Sequence, residues 1–131
     1  VETVITTGGI IVTDQPTTEE LNAWHKRFAM SCNNESWALI EKPERTVAEG
    51  REMLYLAYAA AYHWSKVGTP VNWARAEITL AHAYSLLGDG ARAMHFAQSA
   101  LAFFDAGNGE AWDLAFAHLT VAQAATTKRD Y

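Results

Sequence analysis

The chain predicts an all-α fold, a short stack of about five antiparallel helices behind an N-terminal extended segment or β-hairpin. Three observations predict it. Apolar residues recur at helical intervals through most of the 131 residues. Turn signals of glycine, proline and capping residues divide that pattern into segments with short joints, which makes consecutive helices antiparallel neighbours. Between Ala74 and Leu101 a helical hairpin is spelled out by Leu80, Ala81, Tyr84, Gly88, Ala93, Ala97, Ala100 and Leu101. A large, a small and an aromatic residue share one face of its first helix. A glycine turn follows, then small residues facing back, so that the two helices approach closely.

Residues 1–16 stand apart from the helical repeat domain of residues 17–131. Val4-Ile5-Thr6-Thr7 and Ile10-Ile11-Val12-Thr13 are β-branched runs around Gly8-Gly9, a pair that tolerates the positive φ of a two-residue hairpin turn. Such a hairpin is marginal alone in water; it docks on the helices, pairs with another chain, or stays extended. After Pro16, Thr17 and Glu20 have capping-box spacing and open a first helix to about Glu41, with the apolar stripe Leu21, Trp24, Phe28, Cys32 and Leu39. Lys42-Pro43 breaks it. Thr46 and Glu49 repeat the box, and the second helix carries Met53, Leu54, Ala57, Ala60, Ala61, Trp64 and Val67 beside a second stripe of Tyr55, Tyr58 and Tyr62. Two stripes on one helix imply neighbours on both sides.

Gly68-Thr69-Pro70 reads as a left-handed C-cap glycine, an N-cap threonine and a first-turn proline. The third helix runs to about Leu87 and meets the cap pair Gly88-Asp89. The fourth spans roughly Gly90 to Asp105, presenting Ala93, Phe96, Ala97, Ala100, Leu101 and Phe104. Gly107-Asn108-Gly109 turns the chain into a fifth helix, Glu110 to about Thr127. Its inward stripe is Leu114, Ala115, His118, Val121 and Ala122, with Thr120, Gln123 and Thr127 outward. An odd fifth helix with apolar Phe116 and Leu119 beyond that stripe points to a homodimer.

Composition excludes several functions. Hydrophobic residues make up 50% of the chain, too many for disorder, and the net charge is −5 without a basic cluster, which argues against nucleic acid. Cys32 is the only cysteine, so no internal disulfide forms and a reducing, cytoplasmic compartment is expected. No segment has the build of a signal peptide or of the roughly 20 apolar residues of a membrane span.

The offsets from Leu80 to Leu101 are those of a tetratricopeptide repeat, with Glu77 at the consensus tryptophan position and Gly90-Ala91 replacing a small-then-aromatic pair. Tyr62-His63-Trp64, the run Val67-Gly68-Thr69-Pro70-Val71-Asn72-Trp73-Ala74-Arg75, Tyr84 and Gly88 carry a further likeness. So do Cys32-Asn33-Asn34 with Trp37, and Asp113-Leu114-Ala115-Phe116-Ala117. Over about Leu21 to Ala124 the chain resembles a family of uncharacterised bacterial proteins with tetratricopeptide-like helices. The resemblance implies the fold and no activity.

Candidate chemistry is sparse. The five histidines form no pair at i and i+4 around a glutamate, and there is no Cys-x-x-Cys, so a metal would need His63, Glu77, His82 and His118 to converge from three helices. The alternative is that each histidine is a packed, hydrogen-bonded residue. Glu19, Glu20, Glu49 and Glu110 serve first helical turns. Arg75 can pair with Glu77 or Asp113, fixing helix register. No phosphate-cradling glycine loop exists, and no cofactor is implied. Trp37 and Trp73 lie off the main stripes and are candidates for an exposed aromatic surface.

In a repeat stack the first helix of each pair lines a concave groove, which places Arg75, Ile78, His82 and Ser85 there, a surface suited to a peptide with an acidic group or carboxyl terminus. The expected function is a protein–protein interaction or scaffolding module binding a protein or peptide segment, or itself. Two alternatives stay open: a small metal-dependent or acid–base enzyme, and a small-molecule sensor with an inter-helical pocket.

Overall fold

The computed structural model describes residues 5–7, 10–12 and 14–129. Two strands, β1 (Ile5–Thr7) and β2 (Ile10–Val12), pair antiparallel with Ile5 opposite Val12, Thr6 opposite Ile11 and Thr7 opposite Ile10. The Gly8-Gly9 turn lies outside the described residues, as do the last two residues. Five helices follow among the described residues: α1 (Thr18–Ile40), α2 (Val47–Val67), α3 (Pro70–Leu86), α4 (Gly90–Asp105) and α5 (Ala111–Arg129). The fold is an all-α stack, and no described helix is long and apolar enough to cross a membrane.

Each boundary has a local cause. Thr17 and Thr46 are N-caps with reciprocal boxes: the threonine Oγ1 accepts from the N–H of Glu20 or Glu49, and that glutamate accepts from the threonine N–H. Arg45 closes α1 by donating from Nη1 to the carbonyls of Leu39, Ile40 and Lys42. Asp89 caps α4 by accepting from Arg92 N–H at 3.0 Å. Gly88, Gly107 and Gly109 hold φ of 81°, 98° and 71°, the left-handed values these turns require.

The α2–α3 joint departs from its expected form. Gly68 has φ −80° and ψ 173°, extended and not left-handed. Its glycine is required by closeness instead, because a Cβ there would lie 2.7 Å from the Trp64 carbonyl oxygen. Thr69 is the N-cap and Pro70 opens α3, as expected, but the Thr69 hydroxyl does not cap the helix. Asn72 reaches back, and its Oδ1 accepts from the Thr69 N–H at 3.0 Å and from the Thr69 hydroxyl at 3.1 Å.

α3 is the central helix and touches all four others, while sequential helices pack in pairs along the stack. α1 and α5 therefore flank α3 on one side, and α2 and α4 on the other. The interfaces are built largely from alanine. Ala29, Ala57, Ala81, Ala83, Ala93, Ala97, Ala100, Ala117 and Ala124 are all fully buried, so the backbones approach closely and larger neighbours fill the gaps. Ala81, Tyr84, Ala93, Ala97 and Ala124 form one such cluster, joining α3, α4 and α5. Ala74, Ile78, Ala100, Phe104 and Ala117 form a second. Met53, Ala57, Leu80 and Ala83 join α2 to α3. α4 and α5 also approach closely at Gly90, where a Cβ would fall 2.5 Å from the Lys128 backbone.

Two expected faces are rotated. In α1, Leu21, Trp24 and Phe28 remain exposed and the buried residues are Ala29 and Ser36. The large residues sit beside a seam of small ones that sets the helix spacing. In α5 the buried line is Asp113, Ala117, Thr120 and Ala124, while Ala115, His118 and Ala122 face solvent. Asp113 and Thr120 are polar, so apolar periodicity passes over them. Partners across the interface are what make their burial tolerable.

Candidate concave cleft

The sequence sets two threonines on turns of α3 and α5 where each hydroxyl can bond its own helix. Thr79 Oγ1 donates to the Arg75 carbonyl at 3.3 Å, and Thr120 Oγ1 donates to the Phe116 carbonyl at 2.7 Å. Each hydroxyl has one hydrogen, so each oxygen is left to accept from a neighbouring helix. Trp37 Nε1–H of α1 donates to Thr79 at 3.0 Å. His82 Nε2 of α3 lies 3.1 Å from Thr120 Oγ1, which assigns His82 the Nε2–H tautomer. The two threonines thus tie α1 to α3 and α3 to α5.

His82 is only 8% exposed. Its ring stacks on Phe116 with centroids 5.0 Å apart and meets Trp37 at 5.2 Å. Burial pushes its pKa down to about 4, so it is neutral at ordinary pH. His82 does not point into an open groove; it forms part of the packing beneath one.

Above this layer lies a cleft of about 240 Å³. α3 supplies the floor with Arg75, Ile78 and Thr79. α1 supplies one wall with Asn33 and Trp37, and α5 the other with Trp112, Asp113 and Phe116. Trp37 and Phe116 meet across one end, centroids 6.1 Å apart. Phe116, expected at a dimer interface, is thereby occupied inside the chain. Leu119 remains 59% exposed, next to Trp112 and Ala115 on a shallower apolar surface that continues from the cleft.

Arg75 pairs with Asp113, one of its two candidate partners. Nε donates to Oδ1 at 2.9 Å and Nη2 to Oδ2 at 2.8 Å, a bidentate contact. Asp113 Oδ2 also accepts from the Glu110 N–H at 2.8 Å, capping α5. Hydrogen bonds from Arg75 hold the Asp113 carboxyl below the usual range despite burial. The guanidinium lies 4.7 Å from the centroid of the Trp112 ring. The cleft therefore has aromatic walls and a cation whose charge a buried carboxylate already balances.

The remaining sequence candidates disperse. Ile78 is in the cleft, but Ser85 is at the far end of α3 and does not line it. Trp73 is exposed and donates from Nε1 to the Trp64 carbonyl at 2.8 Å, bracing the α2–α3 joint. His63 faces His25, Glu77 faces Ser99 and His95 of α4, and His118 is exposed on α5. With His82 beneath the cleft, the four proposed metal ligands are not brought together, and no group of three or more such side chains is gathered among the described residues. Cys32 is partly buried, and burial raises its thiol pKa, as expected of a packing residue.

Sequence reasoning missed Asn33 and Trp112 as cleft residues. Asn33 carried a signal, an asparagine pair in mid-helix that propensity disfavours. Trp112 is distinguished from other tryptophans only by the turn that precedes it. Comparison with protein-family models, curated proteins and solved structures finds no match for this chain.

Proposed function

We propose that the protein is an interaction module of tetratricopeptide-like type, binding an extended peptide segment along the surface of α1, α3 and α5, without catalysis. The observation that carries this reading is the cleft itself, with Trp37, Trp112 and Phe116 around Ile78. Trp112 is exposed at the rim while Trp37 and Phe116 are half-buried, and an aromatic beside a pocket is a usual anchor of binding energy. Arg75 is matched by Asp113, so the cleft favours a neutral apolar side chain over the acidic group or carboxyl terminus that an unpaired arginine would select. Asn33 at the wall can hydrogen-bond the backbone of such a segment. The lone Cys32 supports placing the module in the reducing cytoplasm.

The experiment is selection of peptides on the immobilised protein, followed by calorimetric titration of a selected peptide. Trp112 is 58% exposed, so Trp112→Ala leaves the core intact. It should weaken binding by about thirtyfold, the effect of a 2 kcal/mol anchor. Unchanged affinity, with amide shifts mapping away from α1, α3 and α5, would refute the reading.

Self-association is a second reading, favoured by the exposed strip of Leu21, Trp24 and Phe28 on α1. A dimer through it should bury about 1,200–2,000 Å² in total. Sedimentation equilibrium at micromolar concentration tests it, and a clean 14.4 kDa species would exclude it.

A further inference from the structure

At the end of the stack where α1 begins and α2 finishes, His25 and His63 turn their Nδ1 atoms toward each other at 2.8 Å. Both rings are partly buried. Their surroundings are aromatic: Tyr62 and Phe28 lie 5.2 and 5.5 Å from the His63 ring, and Trp24 stacks on Phe28 at 5.5 Å. The nearby cations are held elsewhere, Lys66 over Tyr62 and Arg27 over Trp24. One imidazole therefore carries the Nδ1–H and the other presents its lone pair, with both Nδ1 atoms aimed at one point between two helices.

We propose that His25 and His63 form a two-histidine binding site for a divalent late first-row cation, Zn²⁺ being the probe of choice, which takes the place of the shared hydrogen. Tetrahedral Zn–N bonds of about 2.0–2.1 Å set two ligand nitrogens about 3.3 Å apart. The nitrogens need separate by about half an ångström, and each ring must turn so that its lone pair points at the ion and not at the other nitrogen, a change made by side-chain rotation without moving the helices. The displaced Nδ1 hydrogen is balanced by a tautomer change: that ring takes up a proton at Nε2 as Nδ1 gives one up, so both ligands stay neutral and no net proton is released. No third histidine, cysteine or carboxylate joins the pair among the described residues, so the remaining positions belong to water or an incoming ligand. Imidazole donors suit Zn²⁺, Cu²⁺ and Ni²⁺ and disfavour Mg²⁺ and Ca²⁺.

The test is calorimetric titration of the whole chain with Zn²⁺ alone, alongside His25→Gln and His63→Gln, which keep a hydrogen-bonding side chain of similar reach but ligate poorly. The expected result is one Zn²⁺ per chain, lost in both variants and retained in His95→Gln and His118→Gln. Saturating Zn²⁺ should raise the melting temperature of the parent chain and not of the two variants. Imidazole ¹⁵N spectra of the parent chain should show both Nδ1 atoms shifted by the ion, a readout that does not depend on any variant folding. No saturable binding at millimolar Zn²⁺, binding that survives either His25→Gln or His63→Gln, or ¹⁵N shifts confined to other histidines would overturn the proposal.

Discussion

Acid should destabilise this fold through His82 in a way that one substitution removes. The ring is buried against Phe116 and Trp37, and its Nε2–H is committed to Thr120. Protonation would place a charge in that layer with no carboxylate to pair it, which is why the folded pKa falls from 6.5 to about 4. The sign follows from where the proton binds. Between those two values the unfolded chain holds a proton on His82 that the folded chain does not, so stability rises with pH there. The stabilisation relative to the charged form is complete above about pH 6.5 and is lost as pH falls toward pH 4. A shift of this size corresponds to about 3 kcal/mol at its limit, with about 2 kcal/mol lost by about pH 5. The assay is urea unfolding of the parent chain and of His82→Gln, whose carboxamide can still donate to Thr120, at several pH values from neutrality to about pH 4. Carboxylates such as Asp113 titrate in both proteins, so the difference between the two stability curves isolates the histidine. That difference should shrink by about 2–3 kcal/mol across the window. Parallel curves would mean that His82 accepts a proton in the folded state, and the burial argument would be wrong.

Three further outcomes follow from the packing. Ala97 is fully buried in the cluster joining α3, α4 and α5, so Ala97→Leu should overpack it and lower stability by about 1–3 kcal/mol, read as a fall in melting temperature. Asp113→Ala removes both the Arg75 pair and the α5 cap; because the Arg75 side chain is 39% exposed and can rehydrate, the loss in urea unfolding should be about 1–3 kcal/mol and no more. Gly90→Ala would set a methyl 2.5 Å from the Lys128 backbone, and hydrogen exchange should show the end of α5 released while α1 and α2 keep their protection.

Local signals in the chain were sufficient for everything that depends on a few neighbouring residues. The boxes at Thr17 and Thr46, the left-handed Gly88 and the Thr69-Pro70 start of α3 are one-turn interactions, and each was legible where it stood. The alanine positions of α4 were legible too, because close helix packing leaves a periodic trace of small residues. Gly68 was placed correctly for a different reason than the one expected: its backbone is extended, and a Cβ there would crowd the Trp64 carbonyl one turn back on α2 and the Asn72 side chain on α3.

What required the tertiary structure is the identity of buried polar groups. The packing of α3 on α5 is what selects Asp113 over Glu77 as the partner of Arg75. Thr120 was expected to face outward on α5, and Thr79 is a polar position that apolar periodicity passes over; both are buried because His82 and Trp37 approach from other helices. That misreading rotated the expected face of α5, and with it the assignment of the cleft. Arg75 and Ile78 were found from spacing along one helix, whereas Asn33 and Trp112 join them only because α1 and α5 flank α3. Helix periodicity is a property of one segment. A cleft and the charge balance within it belong to three segments at once, and the distances among them are set by the packing of the whole stack.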